Sequence, residues 1–276
     1  MRVSIVIPAF NEERLLGATL RSISSATDAF LRRGWEVERI VCDNNSTDRT
    51  AEIARESGAT VVFEPCNQIA RARNRGAAAA MGDWLIFVDA DSHPSPELME
   101  AVAGEIESGR CLAGGTIVRL EGRHPKADLV TAAWNAVSRA FRWVAGSFIF
   151  CETAAFRRVG GFNERLFASE EIDLSKRLKK LARREGRRVV ILHRHPILTS
   201  ARKVHLYTPR EHLRFIVRTV LAGGEDADQP GGMPPLVRRQ AISRGDTVIG
   251  EALGTTPVVA RRLNSRPPLQ WRRALV

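Results

Sequence analysis

Four clusters of ionisable residues in this chain have types and spacings that chemistry could use. Asp89-Ala90-Asp91 sets two carboxylates one small residue apart, directly after the apolar run 84–88. Such a pair suits a hard divalent cation held by one or two carboxylates and completed by phosphate oxygens. The same composition also ends strands as an ordinary acidic turn, with Ser92 and Pro94 behind it. Asp43 opens a second polar stretch, Asp-Asn-Asn-Ser-Thr-Asp over 43–48. There Ser46 or Thr47 can cap a helix with Asp48 in its first turn, which leaves Asp43 to accept from an imide N–H such as that of uracil. Arg71, Arg73 and Arg75 alternate at the start of a helical segment. Residues two apart on a helix point about 200° from each other, so the three cannot share a face. At least one is turned to a ligand side, where a guanidinium binds phosphate bidentately, while Arg75 suits solvent. Glu170, Glu171 and Asp173 crowd three carboxylates into four residues. They complement a helix dipole, and crowding also raises carboxyl pKa values towards those of a general base.

The elements around these clusters alternate. Residues 3–7 are an apolar, largely β-branched run closed by Pro8, as in a strand buried on both faces of a parallel sheet. A helix follows over 12–31, then strands at 36–42, 60–63 and 84–88, with helices over 48–57 and 69–81 between them. Further predicted elements are a helix after Pro94 and Pro96, a strand at 111–120, helices over 128–142 and 170–182, a strand at 188–192 and a helix over 210–221. Alternation of this kind predicts a largely parallel sheet with helices on its faces, and ligands beyond the carboxyl ends of the strands. Pro8 to Glu12, Asp43 and the Asp89 triplet all fall at such ends.

Composition bounds what such a sheet can serve. Hydrophobic residues at 44% and charged residues at 26% describe a soluble globular protein. The net charge of +11 favours an anionic partner, but 37 of the 42 basic residues are arginines scattered along the chain, unlike a nucleic-acid arm. Cys42, Cys66, Cys111 and Cys151 show no metal spacing, so reduced thiols in a cytoplasmic setting are expected. The first ten residues are too short for a leader's charged and apolar regions, and no apolar run reaches the roughly 18 residues of a membrane span. Residues 221–276 lose periodicity and hold seven Gly and six Pro, as expected of an irregular, disordered tail.

Taken in order, Val-Ser-Ile-Val-Ile-Pro-Ala-Phe-Asn-Glu-Glu over 3–13, the 43–48 stretch, Arg71-Ala72-Arg73-Asn74, Asp89-Ala90-Asp91, Gly160-Gly161-Phe162 and Glu170-Glu171-Ile172-Asp173-Leu174 resemble the family 2 glycosyltransferases of the GT-A fold. The resemblance covers roughly residues 2–200. It implies an α/β fold with a Rossmann-like, mostly parallel central sheet flanked by helices on both faces. The catalytic domain would span 1–220, with a nucleotide-binding half at 1–110 and an acceptor-binding half at 111–220. It further implies that Pro8 and Phe10 line a nucleobase pocket, Glu12 lies near the ribose, Asp43 reads the base edge and Arg73 helps hold the nucleotide. Asp89 would bind ribose or metal, Ala90 would lie against the nucleotide sugar, and Asp91 would coordinate Mn²⁺ or Mg²⁺ against the diphosphate of a UDP-sugar. Glu171 would deprotonate the acceptor hydroxyl for a single displacement with inversion. The family usually carries Glu-Asp at 170–171, so Glu170 and Asp173 compete for that role. His193 and His195, after the last predicted strand, are either structural or, for His195, a third metal ligand. Residues 199–202 would form a loop that closes over the diphosphate through Arg202.

Three rivals remain beside this resemblance. A sugar-1-phosphate nucleotidyltransferase needs a Gly-rich loop after the first strand, where this chain has Pro-Ala-Phe-Asn-Glu-Glu. A catalytically impaired nucleotide-sugar-binding protein of the same fold is suggested by glutamate at 171. Nucleic-acid binding is disfavoured by the scattered arginines. The expected partners are a nucleotide sugar, a glycan, lipid-linked or small-molecule acceptor, and an anionic inner membrane face met peripherally by Arg183, Arg184, Arg187 and Arg188.

Overall fold

The computed structural model describes residues 1–202 apart from Ala145, Phe167 and Ala168. The helix expected over 210–221 and the tail at 221–276 lie outside the described residues. The strands are β1 (Arg2–Ala9), β2 (Glu36–Asp43), β3 (Thr60–Phe63), β4 (Trp84–Val88), β5 (Ser92–His93), β6 (Cys111–Leu120), β7 (Phe148–Glu152) and β8 (Arg188–Thr199). The helices are α1 (Leu16–Ala26), α2 (Asp28–Leu31), α3 (Thr50–Glu56), α4 (Ile69–Ala79), α5 (Pro96–Glu107), α6 (Pro125–Phe141), α7 (Thr153–Arg158) and α8 (Glu170–Arg184).

The strands form one mixed sheet in the order β3-β2-β1-β4-β7-β6-β8-β5. Its first four strands are parallel, so their carboxyl ends share one edge. β7 is antiparallel to both β4 and β6, while β8 runs parallel to β6. Two-residue periodicity divides β1 between two cores. Val3, Ile5 and Ile7 pack beneath α1, α2 and α5, and Val6 joins Leu85 and Phe87 beneath α4, α7 and α8. The sheet is thus covered on both faces, which is why β1 and β4 read as continuous apolar runs.

Only three residues separate β4 from β5, yet β5 pairs with β8 at the far end of the strand order. The sheet curls, and Asp89-Ala90-Asp91 joins its central strand β4 to the edge strand β5. Each member of the triplet is pinned through its backbone. Asp89 N donates to Ser147 O at 3.3 Å, Ala90 O accepts from Thr19 Oγ1 at 2.8 Å, and Asp91 O accepts from Ser200 N at 3.0 Å.

Several sequence expectations are corrected. The helix over 12–31 starts only at Leu16 and breaks at Thr27, giving α1 and α2. β7 and α7 were not expected at all. β8 continues to Thr199, so His193, His195 and Thr199 are strand residues and not parts of loops.

α4 approaches β1 closely enough that a Cβ on Gly76 would lie 2.4 Å from Val6 Cγ1. Gly76→Ala is therefore expected to destabilise by about 1–2 kcal/mol in urea unfolding, overpacking outweighing the better helix propensity. Because the clash is with one methyl, Gly76→Ala with Val6→Ala should cost roughly 1 kcal/mol less than the two single changes summed.

Candidate active site

Three strand ends and one helix start converge on the curled edge of the sheet. The loops after β1 and β2 are latched together. Asn44 N donates to Ala9 O at 2.8 Å, Asn11 N to Ser46 Oγ at 3.0 Å, Thr47 N to Asn11 Oδ1 at 2.8 Å and Glu12 N to Thr50 Oγ1 at 2.8 Å. Asn11 and Asn45 hold positive φ angles of 52° and 64°, a conformation asparagine tolerates better than most residues. The expected cap by Ser46 or Thr47 is not formed, because these residues serve the latch and α3 begins at Thr50. Asp43 Oδ1 closes its own turn by accepting from Ser46 N at 3.0 Å. Pro8 and Asp43 are buried at the ends of the adjacent strands β1 and β2, and Phe10 and Glu12 are half-buried in the stretch that follows β1.

Arg73, expected to help hold the nucleotide, is buried beside the triplet, bound to Asp89 and Glu170. Its side chain is only 2% exposed. Nη1 donates to Glu170 Oε1 at 2.8 Å, and Nη2 donates to Asp89 Oδ1 at 3.1 Å and to Gly146 O at 2.9 Å. The guanidinium also lies 5.2 Å above the ring of Phe162, which stands edge-on to Phe87. The alternation argument held for its neighbours, since Arg71 is half-buried and Arg75 exposed. Asn74 holds the turn that supplies Phe162: Nδ2 donates to Phe162 O and Oδ1 accepts from Phe162 N, both at 2.9 Å. Gly161, at φ +68°, allows this approach, because a Cβ there would meet Asn74 Oδ1 at 2.7 Å.

The carboxylates at the start of α8 have separate environments. Glu170 is buried against Arg73, and Asp173 pairs with Arg177, whose Nε donates to it at 2.9 Å. Asp173 is thereby engaged along its own helix. Glu171 is half-buried beside Glu170 and near Gly146. Its carboxyl is pushed up to about 8, first by burial and then by the Glu170 charge, with Arg73 opposing the rise.

Asp91 is buried, and its Oδ2 lies 3.9 Å from Nη2 of Arg202, which also pairs with Glu12. A positive charge is thus accommodated where Asp91 points. That place, with its hard oxygen donors, suits Mg²⁺ or Mn²⁺. Among the described residues no group of three or more His, Cys, Asp and Glu side chains is gathered to hold a metal. His195 is not brought to the triplet; it lines a different cleft, and its electrostatic neighbour is Glu97 of α5.

Sequence reasoning missed Gly146 and Phe162 as parts of the arrangement. A glycine pair before an aromatic at 160–162 is the available signal for Phe162, and Gly146-Ser147 has the composition of a small-residue turn, but only the fold brings Gly146 to Arg73.

Comparisons with known proteins bear on the family and the fold. A model described as glycosyl transferase family 2 matches residues 4–165. An uncharacterized glycosyltransferase of Mycobacterium tuberculosis is 30% identical over 141 residues, covering 50% of this chain and 60% of the relative, so the match spans under two thirds of that protein. Among solved structures, a mannosyltransferase from Pyrobaculum calidifontis in complex with GDP-Man and Mn²⁺ superposes with a TM-score of 0.61 at 20% identity, covering 87% of this chain and 68% of that one. Glucosyl-3-phosphoglycerate synthase from Mycobacterium tuberculosis, in complex with Mn²⁺, UDP and phosphoglyceric acid, gives 0.55 at 22% identity, covering 81% and 78%. These two share the fold, a GT-A sheet flanked by helices. With well over half of its length matched by the family model and the motifs gathered on one sheet edge, the chain belongs to glycosyl transferase family 2.

Proposed function

We propose that this protein transfers a sugar from a nucleoside-diphosphate donor, a UDP-sugar, to an acceptor hydroxyl, with inversion in a single displacement. The observation that carries this is the division of labour around Arg73. One buried cation holds both Asp89 and Glu170, and beside Glu170 burial and that neighbour's charge raise the pKa of Glu171 against the pull of Arg73.

In this mechanism Pro8, Phe10, Glu12 and Asp43 take the nucleoside, and Ala90 lies against the sugar. Asp91, aided by Asp89, would hold Mn²⁺ or Mg²⁺, which when bound would supply positive charge to offset that of the departing diphosphate. Arg202, already beside Asp91, turns to the phosphates. Glu171 in its ionised form takes the proton of the acceptor hydroxyl. The oxygen attacks the anomeric carbon from the face opposite the diphosphate, a new C–O bond forms, and the C–O bond to the phosphate breaks with its electron pair leaving on the nucleoside diphosphate. The GDP-Man, UDP and Mn²⁺ in the two structural neighbours support the donor class and the metal. A thermal-shift panel of UDP- and GDP-sugars with and without Mn²⁺ tests the proposal, since the true donor stabilises by mass action.

Two predictions follow from the carboxylates. Glu171→Gln should lower kcat by about 10²–10⁴-fold with little change in donor affinity. In the unchanged protein kcat/KM should climb as pH rises to about 8, and this limb should vanish in the variant. The same group sets a stability trend. Folded, Glu171 keeps its proton to about pH 8, whereas unfolded it releases it near 4.5. Its favourable contribution is complete below pH 4.5 and lost as pH rises through 8, so Glu171→Gln should gain thermal stability relative to the parent at pH 8 but not at pH 4.

Asp91→Asn should abolish the Mn²⁺-dependent part of UDP affinity while retaining the metal-independent part, as read by calorimetry. Equal Mn²⁺ enhancement in both proteins would remove Asp91 from the metal site.

A further inference from the structure

Helix α6 is built inside out. Of its 17 residues only Ala127 and Ser138 are buried. The residues turned towards the protein include polar ones: Asn135 exchanges hydrogen bonds with the backbone of Val118 at 2.8 and 3.0 Å, and Ser138 Oγ donates to Trp143 O at 2.6 Å. The outward residues are largely apolar. Ala132, Ala133, Ala136 and Ala140 are exposed, Leu129 is 74% exposed and Phe141 is 44% exposed. A helix whose outer face meets only water carries charged and polar residues there.

Positive charge surrounds the far end of this face. Arg139 and Arg142 are exposed, Lys179 of α8 donates to Phe141 O, and Lys179 is itself crowded by Arg142, Arg183 and Lys176. No ion pair joins Arg139, Arg142, Lys176, Lys179 or Arg183 to a carboxylate among the described residues, whereas Arg187 and Arg188 pair with Glu152 and Glu105. The latter pair therefore contributes less to a basic surface than its sequence position suggests. The aromatic end of α6 is held firmly, with Phe141 stacked on buried Trp143 at a centroid distance of 4.9 Å.

We propose that α6 is a docking face for an anionic lipid bilayer, Leu129 and Phe141 entering the headgroup boundary and Arg139, Arg142, Lys179 and Arg183 meeting the lipid phosphates. An apolar helix face with basic residues around it has the make-up of an interfacial helix. A second copy of the chain is the poorer occupant. In a two-fold dimer the same patch meets itself, so the cationic cluster would be set against its own image, whereas an anionic bilayer neutralises it. No helix of the described residues is long and apolar enough to cross a membrane. This inference is independent of the transferase reaction.

The test is co-sedimentation of the full chain with vesicles of phosphatidylcholine containing phosphatidylglycerol, and with phosphatidylcholine alone. Binding should be at least about tenfold stronger to the anionic vesicles at low salt and weaken on raising the salt. Leu129→Glu with Phe141→Glu should reduce it by about tenfold or more. Arg139→Ala with Arg142→Ala should do likewise, each removed charge accounting for roughly fivefold. An unchanged melting temperature in these surface variants excludes unfolding as the cause, and Leu129→Ala serves as a milder replacement if the glutamates destabilise the fold. Equal binding to both vesicle types, no binding to either, or full binding by folded variants overturns the proposal. So does a concentration-dependent dimer by light scattering that Leu129→Glu abolishes in a protein that ignores vesicles.

Discussion

The site is organised by one buried guanidinium. Burying an arginine is costly unless its charge is met, and the charge of Arg73 is met by two carboxylates, which with a carbonyl bind its two terminal nitrogens from three distant parts of the chain, while Nε has no hydrogen-bond partner. Asp89 comes from the end of β4, Gly146 from the turn before β7, and Glu170 from the start of α8. Once Arg73 is in place these segments have little freedom relative to one another. Its planar fork holds two carboxylates at a fixed separation, which an ammonium group would not do. Phe162 closes the face of the guanidinium, and Asn74 fixes Phe162. The adjacent Arg73-Asn74 pair thus serves one cluster from two directions.

The curl of the sheet explains why the acidic triplet lies at its centre. A parallel half gathers strand ends on one edge, but only the return of β5 to β8 carries Asp91 from the β4 side to the other half. The triplet's backbone is spent on structural hydrogen bonds, and its side chains point to different cations: Asp89 to the buried Arg73, Asp91 to the half-exposed Arg202. Two carboxylates one residue apart therefore differ in character. One is tied to the buried Arg73, and the other lies beside the partly exposed Arg202.

Much of this was legible in the chain. Buried parallel strands such as β1 and β4 announce themselves as apolar runs, and the clusters at their ends follow from the rule for parallel sheets. β7 was not legible, because four apolar residues and a glutamate between a Gly-Ser turn and a short helix have no distinctive period. The fate of Arg73 was not legible either. Helical geometry showed that the three arginines must face apart, but which of them is buried depends on Glu170 and Gly146, more than 70 residues away. The competition among Glu170, Glu171 and Asp173 likewise rests on partners that only the fold supplies, Arg73 for the first and Arg177 for the last.

A double-mutant cycle between Arg73 and Glu170, followed by urea unfolding, tests the role of the buried guanidinium most directly. Arg73→Met and Glu170→Gln alone should each be strongly destabilising, on the order of 3–5 kcal/mol where a charge is left without its partner. Together they should cost at least about 2 kcal/mol less than their sum. Additivity within roughly 0.5 kcal/mol would contradict the account, because it would mean that the two side chains are not energetically coupled.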